Sequence, residues 1–517
     1  MPLVVFSQQG FITGQLLNNE DGAPIVFATI RVKNKNVGVI SNLDGSFRIP
    51  NKFKDLGSVL EVSSLGYVSK DILLYELSTN KTNLIKLFPA IEVLDEVIVE
   101  GVMKRPKRIK MSAVDIVRKA IANISLNYPS SPFTSVGYYR DFQMNDKRYF
   151  NLNEALFEVW DQGFGALDFE TTKVRIFEYK RNQDFPTDSI AQKPYDYINR
   201  NKTMSGAYLN DYGGNEFTIL RIHDAIRNNA INAYDYVNVF RTDFLKNHLL
   251  KKEADVILNN KKLFKISFLK SVGLFEVKGN LYISQENFAI NKMEYIINSR
   301  YREKLRHSRQ YYKNRSQELL FSVVVGYAPV DGFMYPNYHS MKNNFKVNDP
   351  PKFKVNEVQY SLAKKNFIIS FNNSANEKDA LKKANYKAKF KGKKVNIDKI
   401  VHIDDQVILY PDPKIAKSMF VEISQAERNN KQDSNIFNIK IEDIRDLKGN
   451  YINEPSYREV KQYREFFVQR IVTKPGAALN DSLYMNKNVP IFKKQPITRP
   501  ENTADYWMNT PLPNIDD

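Results

Sequence analysis

The sequence predicts a mainly β protein: an N-terminal β-sandwich followed by a large antiparallel, half-barrel-like β region with one or two covering helices. Three observations carry this. Apolar and polar residues alternate with period two along much of the 517-residue chain, as they must where successive side chains point to opposite faces of a strand. Turn residues interrupt those runs at short intervals through the first hundred positions. Helical spacing of apolar residues stands out just after residue 112.

The first module spans residues 10–101. Ile12 and Gly14 alternate with Thr13 and Gln15, then Ala28, Ile30 and Val32 with Thr29, Arg31 and Lys33. Asp21-Gly22, Asp44-Gly45 and Gly66 supply the reversals, because glycine tolerates positive φ and aspartate bonds its own backbone. Six or seven short strands at this spacing make a small sandwich, and so full a set of strands predicts that residues 10–101 fold alone. Asp44 is read as a turn residue, since one carboxylate cannot supply the six to eight oxygens of a calcium site.

Residues 102–129 read as a basic linker and a helix. Ser112 is an N-cap with Asp115 three positions on, a capping-box arrangement. Val114, Val117, Ile121 and Ile124 then fall at helical spacing, and Asn127-Tyr128-Pro129 ends the element after about 14 residues. Strands follow in the next region, 130–375, at 133–142, 149–160, 173–179, 233–240, 254–258, 263–269, 274–283, 288–297, 319–328, 333–339 and 367–371. The clearest unit is a hairpin in which Phe275, Val277, Leu281 and Ile283 point one way, Gln285-Glu286-Asn287 turn the chain, and Phe288 and Ile290 start the return. These six apolar residues are the candidate lining of a hydrophobic cavity, or else a packed core beneath the helix. Residues 376–400 form a Lys-rich segment, and 401–517 continue the β region into an extended tail.

Composition bounds the chemistry. With 42% hydrophobic and 12% aromatic residues, there is ample material for cores. No uninterrupted apolar run reaches the roughly 18 residues of a membrane-spanning helix. The absence of cysteine excludes disulfides, thiol catalysis, cysteine zinc sites and a lipid-anchor cysteine. The net charge is +18; residues 1–101 are slightly acidic, so the excess lies beyond residue 101 and is densest at 378–399, with nine lysines in 22 residues. Lys382, Lys383, Lys387, Lys389, Lys391, Lys393 and Lys394 are therefore candidate contacts for an anionic envelope polymer or lipid. The same lysines also suit a solvated face that keeps the protein soluble. No helix-turn-helix, RNP or zinc-finger pattern accompanies them, which argues against nucleic acid.

No catalytic signature appears. The five histidines, His223, His248, His307, His339 and His402, form no H-E-x-x-H, and His402 with Asp405 is the nearest approach to a zinc-peptidase opening. G-x-S-x-G, a Walker loop and a dinucleotide fingerprint are missing too. The expectation is a non-enzyme without catalytic residues, cofactor or metal.

The segments GFITG, ATIRV, SNLDGSF, LEVSSLGY and LDEVIV together resemble the carboxypeptidase-regulatory-like, or transthyretin-like, domain. In order, the sandwich, the Ala113–Ile121 helix, the 127–140 strand, Tyr463-Arg464-Glu465-Phe466-Phe467 and Tyr506-Trp507 are similar to carboxypeptidase-like regulatory domain-containing envelope proteins. That resemblance implies a periplasmic or outer-membrane location, export through a signal peptide and protein partners in the envelope, and brings no activity. Residues 2–9 resemble the end of a secretory signal, so the mature chain is expected to begin near Gln8. Three functional classes follow. The favoured one is a scaffold or accessory subunit of an outer-membrane complex with the sandwich as docking module. The alternative is a periplasmic carrier of a lipid or other hydrophobic ligand. The third, a TonB-dependent transporter, needs more residues than follow position 101.

Overall fold

The structure, a computed structural model, describes residues 10–90 except 34 and 36, and residues 111–145, 148–204, 209, 212, 214–232, 237–299, 318–428, 436–454 and 456–511. The signal-like start, the basic linker and the expected closing strand of the sandwich at 94–99 lie outside the described residues. The chain divides into two compact units, Met1–Lys346 with Glu459–Asp517, and Val347–Arg458. Among the described residues no helix is long and apolar enough to cross a membrane.

The sandwich is built from β1 (Phe11–Asn18), β2 (Thr29–Val32), β3 (Val37–Ile40), β4 (Ser46–Pro50), β5 (Val59–Ser63), β6 (Lys70–Leu73) and β7 (Asn83–Leu87). They form two sheets, β4-β1-β7 and β3-β2-β5-β6. Ile12, Leu16, Ala28, Ile30, Val32, Phe47, Leu60 and Val62 fill the core, on the side the alternation predicts. Gly45 sits at φ +77°, and a Cβ there would come within 2.4 Å of the Leu16 carbonyl oxygen, so this turn requires glycine. The Asp44 carboxylate accepts from the Ser46 amide and hydroxyl at 3.0 and 2.7 Å, the local role expected of it.

The sandwich core also takes in a residue from far outside 10–101. Trp507, 3% exposed, belongs to the sandwich core, packs at 5.9 Å from Phe53 and donates its indole N–H to the Arg48 carbonyl. Beside it, Asn509 accepts from the Arg48 amide and donates to the Ile40 carbonyl. A strap from the far end of the chain thus completes the apolar filling and bonds the edges of β3 and β4.

The large sheet of the first unit begins with β8 (Phe133–Asn145), β9 (Arg148–Asp161) and β10 (Lys173–Arg181), followed by β11 (Lys202–Thr203), β12 (Leu249–Lys252), β13 (Val256–Leu258) and β14 (Lys261–Val272). It continues through β15 (Phe275–Ser284), β16 (Ile290–Ser299), β17 (Glu318–Val330) and β18 (Phe333–Asp349). The strand order is β10-β9-β8, the closing strand Ser456–Val472, then β18-β17-β16-β15-β14-β12, with β11 on β18 and β13 on β14. Helices α1 (Ala113–Ala122), α2 (Glu216–Ile222) and α3 (Phe240–Asn247) belong to this unit. Tyr128 after α1 donates to the Ile290 carbonyl, and Tyr295 to the carbonyl of His223 after α2.

Two local expectations change. The run 233–240 is not a strand over its described part: Phe240 starts α3, because Phe240 and Phe244, four apart, share the buried face of a helix with Phe244 against Phe268 at 5.0 Å. In α1 the buried stripe is Ile116, Val117 and Ala120, joined by Ile124 just beyond, while Val114 is exposed. The helix starts where predicted, Ser112 accepting from the Asp115 amide, but its apolar face is turned from the Val114–Ile121 line.

The second unit holds β19 (Val355–Ser361), β20 (Asn366–Phe371), β21 (Tyr386–Phe390), β22 (Lys393–Val395), β23 (Ile397–Ile403), β24 (Gln406–Pro411), β25 (Phe437–Ile441) and the helix α4 (Pro413–Arg428). Its sheets are β19-β20-β24-β23 and β22-β21-β25. Ala416, Met419, Phe420 and Ile423 of α4 join Phe367, Ile369, Val407 and Leu409 in one apolar core. The divisions expected at 375/376 and 400/401 fall inside this unit, because Tyr386, Ala388 and Val395 of the Lys-rich segment point into that core.

Candidate functional site

Val277, Leu281, Ile283 and Ile290 are all at 0% exposure, so no water-sized space lies against them. That is the condition of a packed core. Phe275 is half-buried at the strand end. Phe288 does not start the return strand: its φ is +60°, its ring stacks 6.3 Å from Phe264, and Lys119 Nζ lies 4.9 Å above it. The turn residue Asn287 is held instead by amide donors from Asn123 and Asn127.

In the second unit the seven lysines surround an ordered hairpin. Lys387 and Lys389 alternate outward with buried Tyr386 and Ala388. Lys382, Lys387 and Lys391 pair with Asp379, Glu442 and Glu422, and Lys383 donates to the Asp398 carbonyl. Lys389, Lys393 and Lys394 have no ion-pair partner among the described residues. Lys389 stands directly opposite Lys394 in the register, a like-charge placement that lowers stability.

A feature missed from sequence lies at the centre of the large sheet. Tyr139-Arg140-Asp141-Phe142 of β8 runs antiparallel to Tyr463-Arg464-Glu465-Phe466 of the closing strand, with Arg140 opposite Glu465 and Arg464 opposite Asp141. Neighbouring residues project to opposite faces, so each face receives one guanidinium. Arg140 pairs with Glu465, both at 0% side-chain exposure. Arg464 pairs with Glu216 of α2 and donates to Asn343 and Tyr195. Nearby, Arg227 grips Asp161 through two bonds of 3.0 and 2.9 Å, and Arg221 bridges Asp161 and Asp168. Burial and the neighbouring Glu216 push the Asp141 carboxyl up to about 7. Burial alone would raise Asp168, yet Arg221 and Arg227 hold it below its ordinary value. Burial pulls His223 and His248 down to about 4 and His339 well below its usual range. His223 and His248 each place Nδ1 against a carbonyl four residues back, of Ile219 and Phe244.

The candidate binding site is a cleft of about 460 Å³ within the first unit, between the sandwich and the outer ends of β15 to β18. One wall carries Phe27, Arg31, Glu61 and Tyr67; the other carries Tyr282, Lys292, Asn337 and Tyr338. The walls are joined where Phe27 stacks 5.5 Å from Tyr338, Arg31 donates to Asn337 at 2.7 Å, and Asn337 donates to Thr29 at 3.1 Å. Lys292 is neutralised by Glu294 at 2.7 Å, whose other oxygen accepts from Tyr282. Burial pulls the Arg31 guanidinium below its ordinary value, against the pull of Glu61. The polar groups of the cleft, Arg31, Glu61, Lys292 and Asn337, are set among the rings of Phe27, Tyr67, Tyr282 and Tyr338, an arrangement suited to recognition. Its walls come from stretches more than two hundred positions apart, which no local pattern announces.

No curated protein matches the chain. Among solved structures, an outer membrane lipoprotein-sorting protein domain from Vibrio parahaemolyticus is similar at 10% identity and TM-score 0.19, over 45% of this chain and 85% of that one. A DUF1329 family protein from Desulfovibrio piger is similar at 7% and 0.19, over 45% and 87%, and MucB in complex with MucA(peri) at 8% and 0.14, over 59% and 96%. TM-scores of this size do not establish a shared fold. Residues 12–99 are matched by the CarboxypepD_reg-like domain family, the same family that the residue pattern of 10–101 resembles.

Proposed function

We propose that the protein is a non-enzymatic binding protein of the cell envelope whose ligand is a small polar molecule held between sandwich and sheet. The observation that carries this is the cleft, whose volume falls in the range of small-molecule sites and whose walls present polar groups on aromatic surfaces. The envelope location rests on the family matched by residues 12–99. One face of the sandwich is turned inward, since Phe27, Thr29 and Arg31 meet the chain's own sheet. An outer-membrane or periplasmic partner would therefore meet one joined body rather than a free module. Calorimetry with small sugars, amino acids and dipeptides tests the reading: binding is expected in the wild type and lost in Asn291→Trp, which fills the cleft. Unchanged affinity in that variant would place the ligand elsewhere.

A carrier of hydrophobic ligands has one observation in its favour. A groove of about 760 Å³ crosses β12 and β14 to β17, with Leu249, Leu269, Ile296 and Val324 among its lining. It does not involve the six hairpin residues expected to line such a space. Retention of a labelled fatty acid by the wild type, abolished by Ile296→Lys, would favour this second reading.

A further inference from the structure

Arg31 is the group in the cleft with the most unused bonding capacity. A guanidinium has five N–H donors arranged to meet a carboxylate through two parallel bonds. In this structure one of the five is engaged, by Asn337, and no carboxylate pairs with Arg31 among the described residues. Glu61 stands directly opposite it in the β2–β5 register, yet the two do not close into an ion pair: Arg31 is drawn across the cleft to Asn337. Lys292, the other cation of the lining, is already matched by Glu294. The cleft thus presents one charged fork with Glu61 beside it but no carboxylate bonded to it among the described residues, held in place at one corner.

We infer that the cleft recognises a small polar molecule through its carboxylate, which docks on Arg31 while hydroxyl or ammonium donors of the same molecule reach Glu61. This deepens the proposed function and rests on it. Asn337 fixes the guanidinium from one side, so that little side-chain freedom is lost on binding. Arg31 is half-buried, which limits competing water and strengthens a charge-assisted bond relative to full exposure. Glu61 has no ion pair among the described residues, and its acceptor oxygens set a second requirement: a bare carboxylate would be repelled by it, whereas a carboxylate with donors a few ångströms away satisfies both groups. Two kinds of molecule have that chemistry, a sugar acid and the C-terminal end of a short peptide. Phe27, Tyr67, Tyr282 and Tyr338 among the lining supply apolar surface for either.

The test uses the full chain in titration calorimetry with four probes: sodium glucuronate, glucuronamide, L-alanyl-L-alanine and its C-terminal amide. Binding of one acid, with its amide weaker by about 10- to 100-fold, is expected from the loss of a charge-assisted pair, and which acid binds identifies the source. The difference between acid and amide should vanish in Arg31→Gln and persist in Glu61→Gln. The acid–amide comparison in wild-type protein stands even if Arg31→Gln fails to fold. Equal binding of acid and amide would overturn the inference while leaving the cleft as a small-molecule site. Failure of all four probes to bind would overturn both, and an acid preference that survives in folded Arg31→Gln would overturn the role given to this residue.

Discussion

At and beside the centre of the large sheet, Arg140, Glu465, Arg464, Asp161, Asp168 and Arg227 are buried, whereas the core of the second unit is Phe353, Phe367, Ile369, Val407, Leu409 and Phe420. Most ion pairs of the second unit lie nearer the surface, and among its described residues only Asp379 is a buried member of one. Both cores are buried, but they specify their folds differently. An apolar core rewards any arrangement that excludes water, and its strands take their register from alternation alone. In the sheet a slip of one residue between β8 and the closing strand would set Arg464 against Arg140. Buried like charges in contact are far costlier than a misplaced methyl group, so the ionic pairs make the central register close to unique. Stability is a separate matter, because desolvating paired ions offsets much of their attraction.

The largest effect that could break this contrast is expected from Arg140→Met. Leaving Glu465 buried without its partner should lower the stability of the first unit by about 3–5 kcal/mol, while Arg140→Met with Glu465→Leu should recover most of that loss. Urea unfolding followed by tryptophan fluorescence reads this unit alone, since both tryptophans of the chain, Trp160 and Trp507, lie in it. A harmless single substitution would mean that water already reaches the pair. Lys387→Met in the second unit, by contrast, should change little.

The sandwich is an intermediate case, apolar like the second unit yet completed from a distance. Trp507→Ala should lower the unfolding free energy by about 3 kcal/mol through the cavity it leaves, monitored by the fluorescence of Trp160. A loss confined to the surface range, below about 0.5 kcal/mol, would restore the sandwich to independence.

Acid sharpens the comparison next. His223, His248 and His339 are folded neutral with lowered pKa values, so their contribution is present above about 6.5 and is lost as pH falls toward 4. Asp141, raised to about 7, acts in the opposite sense: its contribution is complete below its ordinary value and is lost as pH rises through 7. Asp224, raised by burial, acts in the same sense as Asp141; the three histidines outweigh these two, and the first unit should lose on the order of 2–3 kcal/mol between pH 7 and 4.5, with a steeper loss in Asp141→Asn. In the second unit Asp379, bonded by Arg445, and Glu442, bonded by Lys387, are held at about 2, so these two stay ionised over the same interval. A flat pH profile for the first unit would show that its histidines are reached by solvent.

The smallest effect concerns the lysine hairpin. Exposed lysines contribute little to stability, so changing Lys382, Lys383, Lys393 and Lys394 together to Gln should leave unfolding of the second unit within about 0.5 kcal/mol. Co-sedimentation with vesicles containing phosphatidylglycerol, measured at low and high salt, tests the anionic contact: binding lost in this variant is expected if the face serves it, and equal sedimentation of both proteins would count against it.

The sandwich was legible because its signals are local: alternating residues and the Asp44-Gly45 turn. The hairpin around Leu281 was legible for the same reason. Short helices were not, since α2 and α3 span only seven and eight residues and Phe240 suits a strand as well as a helix until Phe244 is seen beside it. The ionic centre left one trace, the near-repeat of Tyr-Arg-Asp-Phe and Tyr-Arg-Glu-Phe, whose meaning depends on two strands becoming neighbours across more than three hundred residues. Arg31 reads as one outward position of an ordinary strand, and nothing in its vicinity names Asn337.

The Trp507 strap carries a consequence for how the molecule is made. Its indole nitrogen bonds a carbonyl 459 positions earlier in the chain, so the sandwich, translated before it, lacks part of its filling until Trp507 has been synthesised. Contacts of such separation form late and slowly. Until Trp507 is made, the earlier module lacks the ring that packs against Phe53.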